Sequence, residues 1–256
     1  MKVTIITVCF NSERTINGTI ESVLSQTYDN IEYIIVDGNS TDGTMDVVNN
    51  YIDDIDIVVS EPDKGIYDAM NKGLSLASGD VIGILNSDDF YTYKDVIKRV
   101  VEQFSQYPDS DIVFGDVVFV DPLNTDKIVR FYNSRRFKPW KLRFGWMPPH
   151  PATFIKKDTY NSSGQYSLDY KISADYEMFV RLLMVNSGVI SRLDGVLVKM
   201  RAGGISTSGI RNSFLLNKEI VRACRSNGVY TNFFFILLKL PLKMIELFKK
   251  PTDMIS

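Results

Sequence analysis

Short apolar runs alternate with amphipathic stretches through the first half of the chain. Val3 to Phe10, Ile31 to Val36, Ile55 to Val59 and Val81 to Leu85 are rich in β-branched residues and too short for helices, so each reads as a buried strand. Between them lie helical stretches from about Glu13 to Ser25, Thr44 to Tyr51 and Ile66 to Ala77. Asn11 or Ser12 is placed to cap the first of these, and Thr41 or Asp42 the second. Short β-α units imply a mostly parallel sheet with helices on both faces. The rhythm then changes: Ile112 to Val120 and Ile128 to Tyr132 predict a hairpin around Asp121-Pro122-Leu123-Asn124. A helix from Ser173 to about Val185 follows, on which Glu177 and Arg181 form a polar stripe as an i,i+4 pair while Asp175 faces inward. The chain thus divides into residues 1–120, residues 121–228 of the same domain, and a tail at 229–256.

The fourth strand ends abruptly in Asn86-Ser87-Asp88-Asp89. Adjacent carboxylates at the carboxyl edge of an open α/β sheet occupy the usual place for a ligand, and they need a cation nearby. Oxygen donors of this kind suit Mg²⁺ or Mn²⁺ bridging to substrate phosphates, with Asp88 and Asp89 as the metal-side acids. Asp37 ends the second strand in the same way, where a carboxylate can meet a base or ribose. In the loop after it, Asn39 to Thr44 are largely turn chemistry. Asp63 and Lys64, opening the third crossover, are within reach of a nucleotide. No Gly-x-Gly-x-x-Gly follows the first strand, which excludes a dinucleotide fingerprint.

Composition narrows the classes little. The 256 residues carry a net charge of −2, so no overall field favours nucleic acid. Cys9 and Cys224 are far apart and imply no disulfide framework, which suits a reducing cytosol. The apolar start meets Asn11-Ser12-Glu13 where a signal peptide would carry a small-residue cleavage site, so it reads as a strand.

Four motifs in order carry a resemblance: Thr7-Val8-Cys9-Phe10-Asn11, Asp37-Gly38-Asn39-Ser40-Thr41-Asp42-Gly43, Asp63 to Gly73, and Asn86-Ser87-Asp88-Asp89. Over residues 1 to 210 the chain resembles the family-2 glycosyltransferases, and in particular bacterial members that build surface polysaccharides such as O-antigen and capsule. The resemblance implies the GT-A fold and inverting transfer from a nucleotide-diphosphate sugar. It puts Asp37 against the base, uracil or thymine, so the donor would be a UDP- or dTDP-sugar. It adds Thr7, Asn11, Asp63, Lys64, Asn86, Ser87 and Arg201 to the donor side, with Asp88 in the metal-binding place of the Asp-x-Asp motif. Asn86 departs from that motif by bringing an oxygen without a charge. Arg201 opens a glycine-containing loop whose resemblance implies closeness to the donor, where a guanidinium can neutralise the leaving diphosphate. The catalytic base falls on Asp175, with Asp169 or Glu177 the nearest substitutes. A helix N-terminus favours an ionised carboxylate, so Asp175 is expected to stay charged. His150 and Trp146 become candidates for the acceptor side, His150 in contact with acceptor or phosphate.

The basic, aromatic stretch from Arg130 to Arg143 suits an anionic lipid-linked acceptor or a membrane surface. In the tail, Phe233 to Phe248 has a wide apolar arc interrupted by one narrow charged stripe. That pattern reads as an amphipathic helix lying in a membrane interface or in a dimer contact, not a span. The expected enzyme is therefore cytoplasmic and peripheral at the inner face of the plasma membrane, using a lipid-linked saccharide as acceptor. Two other readings stand beside it: a degenerate glycosyltransferase that binds nucleotide or sugar without turnover, suggested by Asn86, and a sugar nucleotidyltransferase. The latter wants a glycine-rich basic loop after the first strand, and Phe10-Asn11-Ser12-Glu13 is neither.

Overall fold

A computed structural model describes residues 1–203 and 209–238. The expected strands are present as β1 (Val3–Cys9), β2 (Ile31–Asp37), β3 (Ile57–Ser60) and β4 (Val81–Ile84), paired in parallel in the order β3-β2-β1-β4. Every residue of β1 is buried, because its alternating side chains meet separate cores. Ile6 and Val8 pack with Ile34, Val36 and Ile84 under the helix α3 (Ile66–Leu76). Val3 and Ile5 pack with Tyr33 and Ile35 under the helix α1 (Ile16–Leu24). Layers on both faces follow directly from strands that are apolar on both faces.

The helix caps differ from expectation. Neither Asn11 nor Ser12 caps α1 with its side chain; Ser12 supplies only its carbonyl, to the N–H groups of Thr15 and Ile16. Asn11 adopts φ 50° and accepts a hydrogen bond from Thr41 N–H at 2.9 Å, tying the loops after β1 and β2 together. Asp42 receives Thr44 N–H at the start of the short helix α2 (Thr44–Asn49).

Beyond β4 the sheet turns mixed. A three-residue strand, β5 (Asp89–Tyr91), leaves the acidic turn and is followed by the helix α4 (Val96–Gln106). The expected hairpin is β6 (Ile112–Val120) with β7 (Ile128–Tyr132). After β8 (Thr153–Lys156) and the helix α5 (Lys157–Ser163) comes α6 (Ala174–Val180), which continues as a π-helical turn, Arg181–Val185. The long strand β9 (Ile190–Arg201) runs parallel to β6 and antiparallel to β5. Full order is β3-β2-β1-β4-β8-β6-β9-β5, with β7 on β6. The helices α7 (Gly209–Ser226) and α8 (Phe233–Leu237) close the described chain. Of the expected tail helix, residues 239–256 lie outside the described residues, as do residues 204–208 of the loop after Arg201.

Candidate active site

Four strand ends meet at the carboxyl edge of the parallel sheet. Register places Cys9 beside Asp37 and Asp37 beside Ser60. Asp37 is fully buried, and both its oxygens are engaged: Ser60 Oγ donates to one at 2.6 Å, and Ser40 Oγ and Ser40 N–H reach the two at 2.5 and 3.0 Å. It therefore shapes the loop that follows and, like Thr7, has no open face toward a ligand. Asp63 lies over that loop, so close that a Cβ on Gly38 would come within 2.4 Å of its Oδ2. A side chain at position 38 would therefore push the Asp63 carboxylate aside. The exposed Phe10 ring borders the same spot. Phe10 is 61% exposed, unusual for a large apolar side chain at a strand end. Sequence reasoning passed over it, although its place directly after β1 was visible. Lys64 is exposed at the rim.

The acidic turn is held from several sides. Ser87 shares a hydrogen bond with Ser12 at 2.8 Å. Burial pushes the Asp88 carboxyl above its ordinary range, with Arg201 partly opposing. Asp89 points beneath the turn, only 2% exposed, and burial together with Asp88 drives its carboxyl well above the ordinary range. Asp89 is thus no open counterpart of Asp88. Asn86 Oδ1 is buried and has no hydrogen-bond partner. Its Nδ2 donates to Asp89 Oδ2 at 3.5 Å, so the unpaired oxygen is an acceptor that a cation at this turn would satisfy.

Two other expected contacts sit elsewhere. Thr7 is buried in β1, where its hydroxyl meets Tyr33 OH at 3.1 Å, leaving it no face toward a ligand. Arg201 is already engaged: Nη1 donates to the Asp88 carbonyl at 2.6 Å and the guanidinium stacks 4.9 Å over Phe90. Its position secures the backbone of the acidic turn from behind.

Asp175 stands on the first turn of α6, partly exposed. Its Oδ1 accepts Tyr176 N–H at 2.8 Å and lies 3.4 Å from Tyr67 OH, which itself donates to the Ile172 carbonyl at 2.6 Å. Tyr67 belongs to the first turn of α3, four residues after Asp63, so one helix start joins the donor-side loop to this carboxylate. Burial raises the Asp175 carboxyl to about 6, outweighing the backbone and Tyr67 hydrogen bonds that favour the ion. The expectation that the helix terminus would keep it strongly ionised is corrected: desolvation dominates.

Glu177 is not on a solvated stripe. It is buried, bound by Arg181 Nε at 2.8 and 3.0 Å and by Asn227 Nδ2 at 3.0 Å. Asp169 is exposed beside Arg222. His150 Nε2 pairs with Tyr166 OH at 2.9 Å, and burial lowers the imidazole to about 4. It is neutral near pH 7 and offers no charge to a phosphate. Trp146 is half-buried after the left-handed Gly145, in the same segment.

The fold is that of the GT-A glycosyltransferases, which the solved structures below share. The family model for glycosyl transferase family 2 matches residues 4–160. The chain belongs to that family. It is 30% identical over 201 residues to a PGL/p-HBAD biosynthesis glycosyltransferase of Mycobacterium bovis, covering 77% of this chain and 75% of that one. Over 99 residues it is 40% identical to the Escherichia coli UDP-Glc:alpha-D-GlcNAc-diphosphoundecaprenol beta-1,3-glucosyltransferase WfaP, covering 38% and 39%. Among solved structures it superposes on S. aureus TarS 1-349 in complex with UDP-GlcNAc with TM-score 0.72, 18% identity, and coverage of 99% and 78%; it spans about half of the longer TarS chain. The mannosyltransferase PcManGT from Pyrobaculum calidifontis, solved with GDP-Man and Mn²⁺, gives TM-score 0.66 at 18% identity, covering 93% and 70%.

Proposed function

We propose that this glycosyltransferase transfers a sugar, with inversion, from a UDP- or dTDP-sugar to a hydroxyl of a lipid-linked saccharide at a membrane face, in the building of a bacterial surface polysaccharide. The observation that carries the reading is Asp175: a partly exposed carboxylate raised toward neutrality, joined to the donor-side loop through Tyr67. A base of that pKa is ionised at pH 7 yet basic enough to take a proton as the acceptor oxygen bonds to the anomeric carbon. The bond to the nucleoside diphosphate breaks on the opposite face, and the proton resides on Asp175 until solvent removes it.

On the donor side, Asp37 holds from beneath the loop whose Gly38 and Asp63, with Phe10 as a flat wall, frame the base and ribose, and residues 1–120 carry all of these. Asp88 and Asn86 Oδ1 fit a divalent ion, one anionic and one neutral oxygen being a donor set that Mg²⁺ or Mn²⁺ completes with substrate phosphate and water. Bound there, such an ion would supply charge neutralisation for the departing diphosphate. The Mn²⁺ bound with GDP-Man in PcManGT, and the diphosphoundecaprenol acceptor of WfaP, support the metal and the lipid-linked acceptor by analogy.

Membrane contact rests on one aromatic and basic face. Trp140 packs edge-on to Phe144, Phe144 stacks on Phe235 at 5.0 Å, and Phe233 stacks on Phe214. Phe233, Phe234, Leu237 and Leu238 of this face remain exposed. Arg135, Arg136, Lys138, Lys141 and Arg143 lie along the same approach and form no salt bridge among the described residues. Burial and the neighbouring Arg136 and Lys138 lower the Lys141 ammonium, a crowding that anionic headgroups would relieve. Among the described residues no helix is long and apolar enough to cross a membrane.

Calorimetry with a panel of nucleotide sugars, with and without Mn²⁺, tests the assignment. UDP- or dTDP-sugars should bind with metal dependence that Asp88→Ala removes. Equal binding by Asp88→Ala would overturn the metal site. Metal-dependent binding with no turnover on any lipid-linked acceptor would favour the non-catalytic reading that Asn86 suggests.

A further inference from the structure

The segment that delivers Asp175 is held from another part of the chain. Residues 171–173 run into α6 with three successive N–H groups pointing the same way, and Ser173 makes no side-chain cap of its own. All three donate to one carboxylate, Glu219 of α7: Lys171 N–H at 2.9 Å, Ile172 N–H at 3.0 Å and Ser173 N–H at 3.1 Å. Ser173 Oγ adds a fourth bond at 2.9 Å. Glu219 is 6% exposed and has no salt bridge among the described residues, so its charge rests on these donors and the helix start. Buried carboxylates without a basic partner are costly, and a surface helix needs none for packing alone. On the same face of α7, Arg222 stacks on Tyr170 at 4.8 Å and donates to the Asp169 carbonyl, and Ser226 meets Tyr170 OH at 3.1 Å. The whole stretch 169–173 is therefore seated on α7.

We propose that Glu219 is a positioning residue for the base: it fixes the backbone that aims the Asp175 carboxylate and holds it in its desolvated setting. This rests on Asp175 being the base. Two elements converge on that carboxylate, α3 through Tyr67 and α7 through Glu219, and they grip the same residue, since Tyr67 OH donates to the Ile172 carbonyl while Glu219 accepts the Ile172 N–H. Tyr166 and, behind it, His150 and Tyr160 form the third side. Glu219 also adds negative charge near Asp175 and thereby contributes to its raised pKa.

Glu219→Gln keeps the size but replaces one acceptor oxygen with an NH₂ group facing N–H donors. Transfer should lose about 10- to 100-fold in kcat, the scale of a small misplacement of a reacting group, with donor KM unchanged. The acid limb of the kcat profile and the Asp175 carboxyl titration, followed by ¹³C NMR and assigned with Asp175→Asn, should both move to lower pH. Both the lost charge and looser packing act in that direction. Glu219→Asp, which keeps the charge, should recover part of the rate and most of the titration. A lowered Tm with unchanged kcat and unchanged Asp175 titration would overturn the proposal and leave Glu219 a purely structural cap. Should Glu219→Gln fail to fold, the same two readouts on Glu219→Asp and Ser173→Ala decide, and no change in either variant again overturns it. If the wild type transfers to no acceptor, the assigned reaction fails, while the NMR titration still judges Glu219.

Discussion

Replacing Asp175 with Asn should destroy transfer and stabilise the protein. A carboxyl that ionises near 6 when folded and near 3.8 when unfolded favours the unfolded state wherever it is charged. Between those values the folded state binds more protons, so stability falls as pH rises through the window and is flat above it. At about 1.4 kcal/mol per pH unit, the loss is about 3 kcal/mol at pH 8 and about half that at pH 5. The amide of the Asp175→Asn variant keeps the oxygen that accepts Tyr176 N–H and Tyr67 OH and removes the ionised form. For a chain of this size the gain corresponds to a Tm rise of about 5–10 °C at pH 8 and distinctly less at pH 5. Transfer should drop by about 10²–10⁴, the usual worth of a general base. Scanning calorimetry at the two pH values, with radiolabelled transfer in parallel, measures both. A variant that melts below wild type at pH 8, or gains equally at both pH values, would show that the setting of Asp175 is not desolvation. Retained transfer would remove it from the reaction.

Other consequences are open to similar tests. Phe10→Ala should weaken UDP binding by about 5- to 150-fold, the range for one aromatic face on a base, without changing Tm; unchanged affinity would mean the ring is not a base platform. Gly38→Ala, whose Cβ would meet Asp63 Oδ2 at 2.4 Å, should displace the Asp63 carboxylate with little change in Tm, and donor affinity should fall in calorimetry; unchanged affinity would remove Asp63 from the donor side. The double variant Phe233→Ser/Phe234→Ser should release the full chain from phosphatidylserine vesicles in flotation while leaving UDP binding intact. If neither protein floats but the variant alone becomes monomeric in ultracentrifugation, the face is a dimer contact instead.

The sheet was legible because its strands are apolar on both faces, a pattern that only a two-sided core explains. Strand β5 was not: Asp89-Phe90-Tyr91 is three residues long and starts with an acid, so nothing local separates it from a turn. Its existence depends on β9, far along the chain. Helix α4 carries a local signal in Val96, Ile97, Val100 and Phe104, all buried at helical spacing. At the site, the inward direction of Asp175 could be read from its own helix. The burial of Glu177 and the engagement of Arg181 could not, because their partners, Asn227 and the Ser163 and Gln165 carbonyls, come from elsewhere. Arg201 was read as facing phosphate for the same reason: sequence shows the guanidinium but not the Asp88 carbonyl that receives it.

The pairing of β5 with β9 also sets an order of assembly during synthesis. Asp88 and Asp89 leave the ribosome about a hundred residues before the strand that secures them, and before Arg201 and Glu219. At about 5–20 residues per second, the nascent chain spends roughly 5–20 s with its acidic turn held only by earlier residues such as Ser12 and Thr19. A polypeptide released early from the ribosome would therefore lack the β5–β9 pairing that completes this turn.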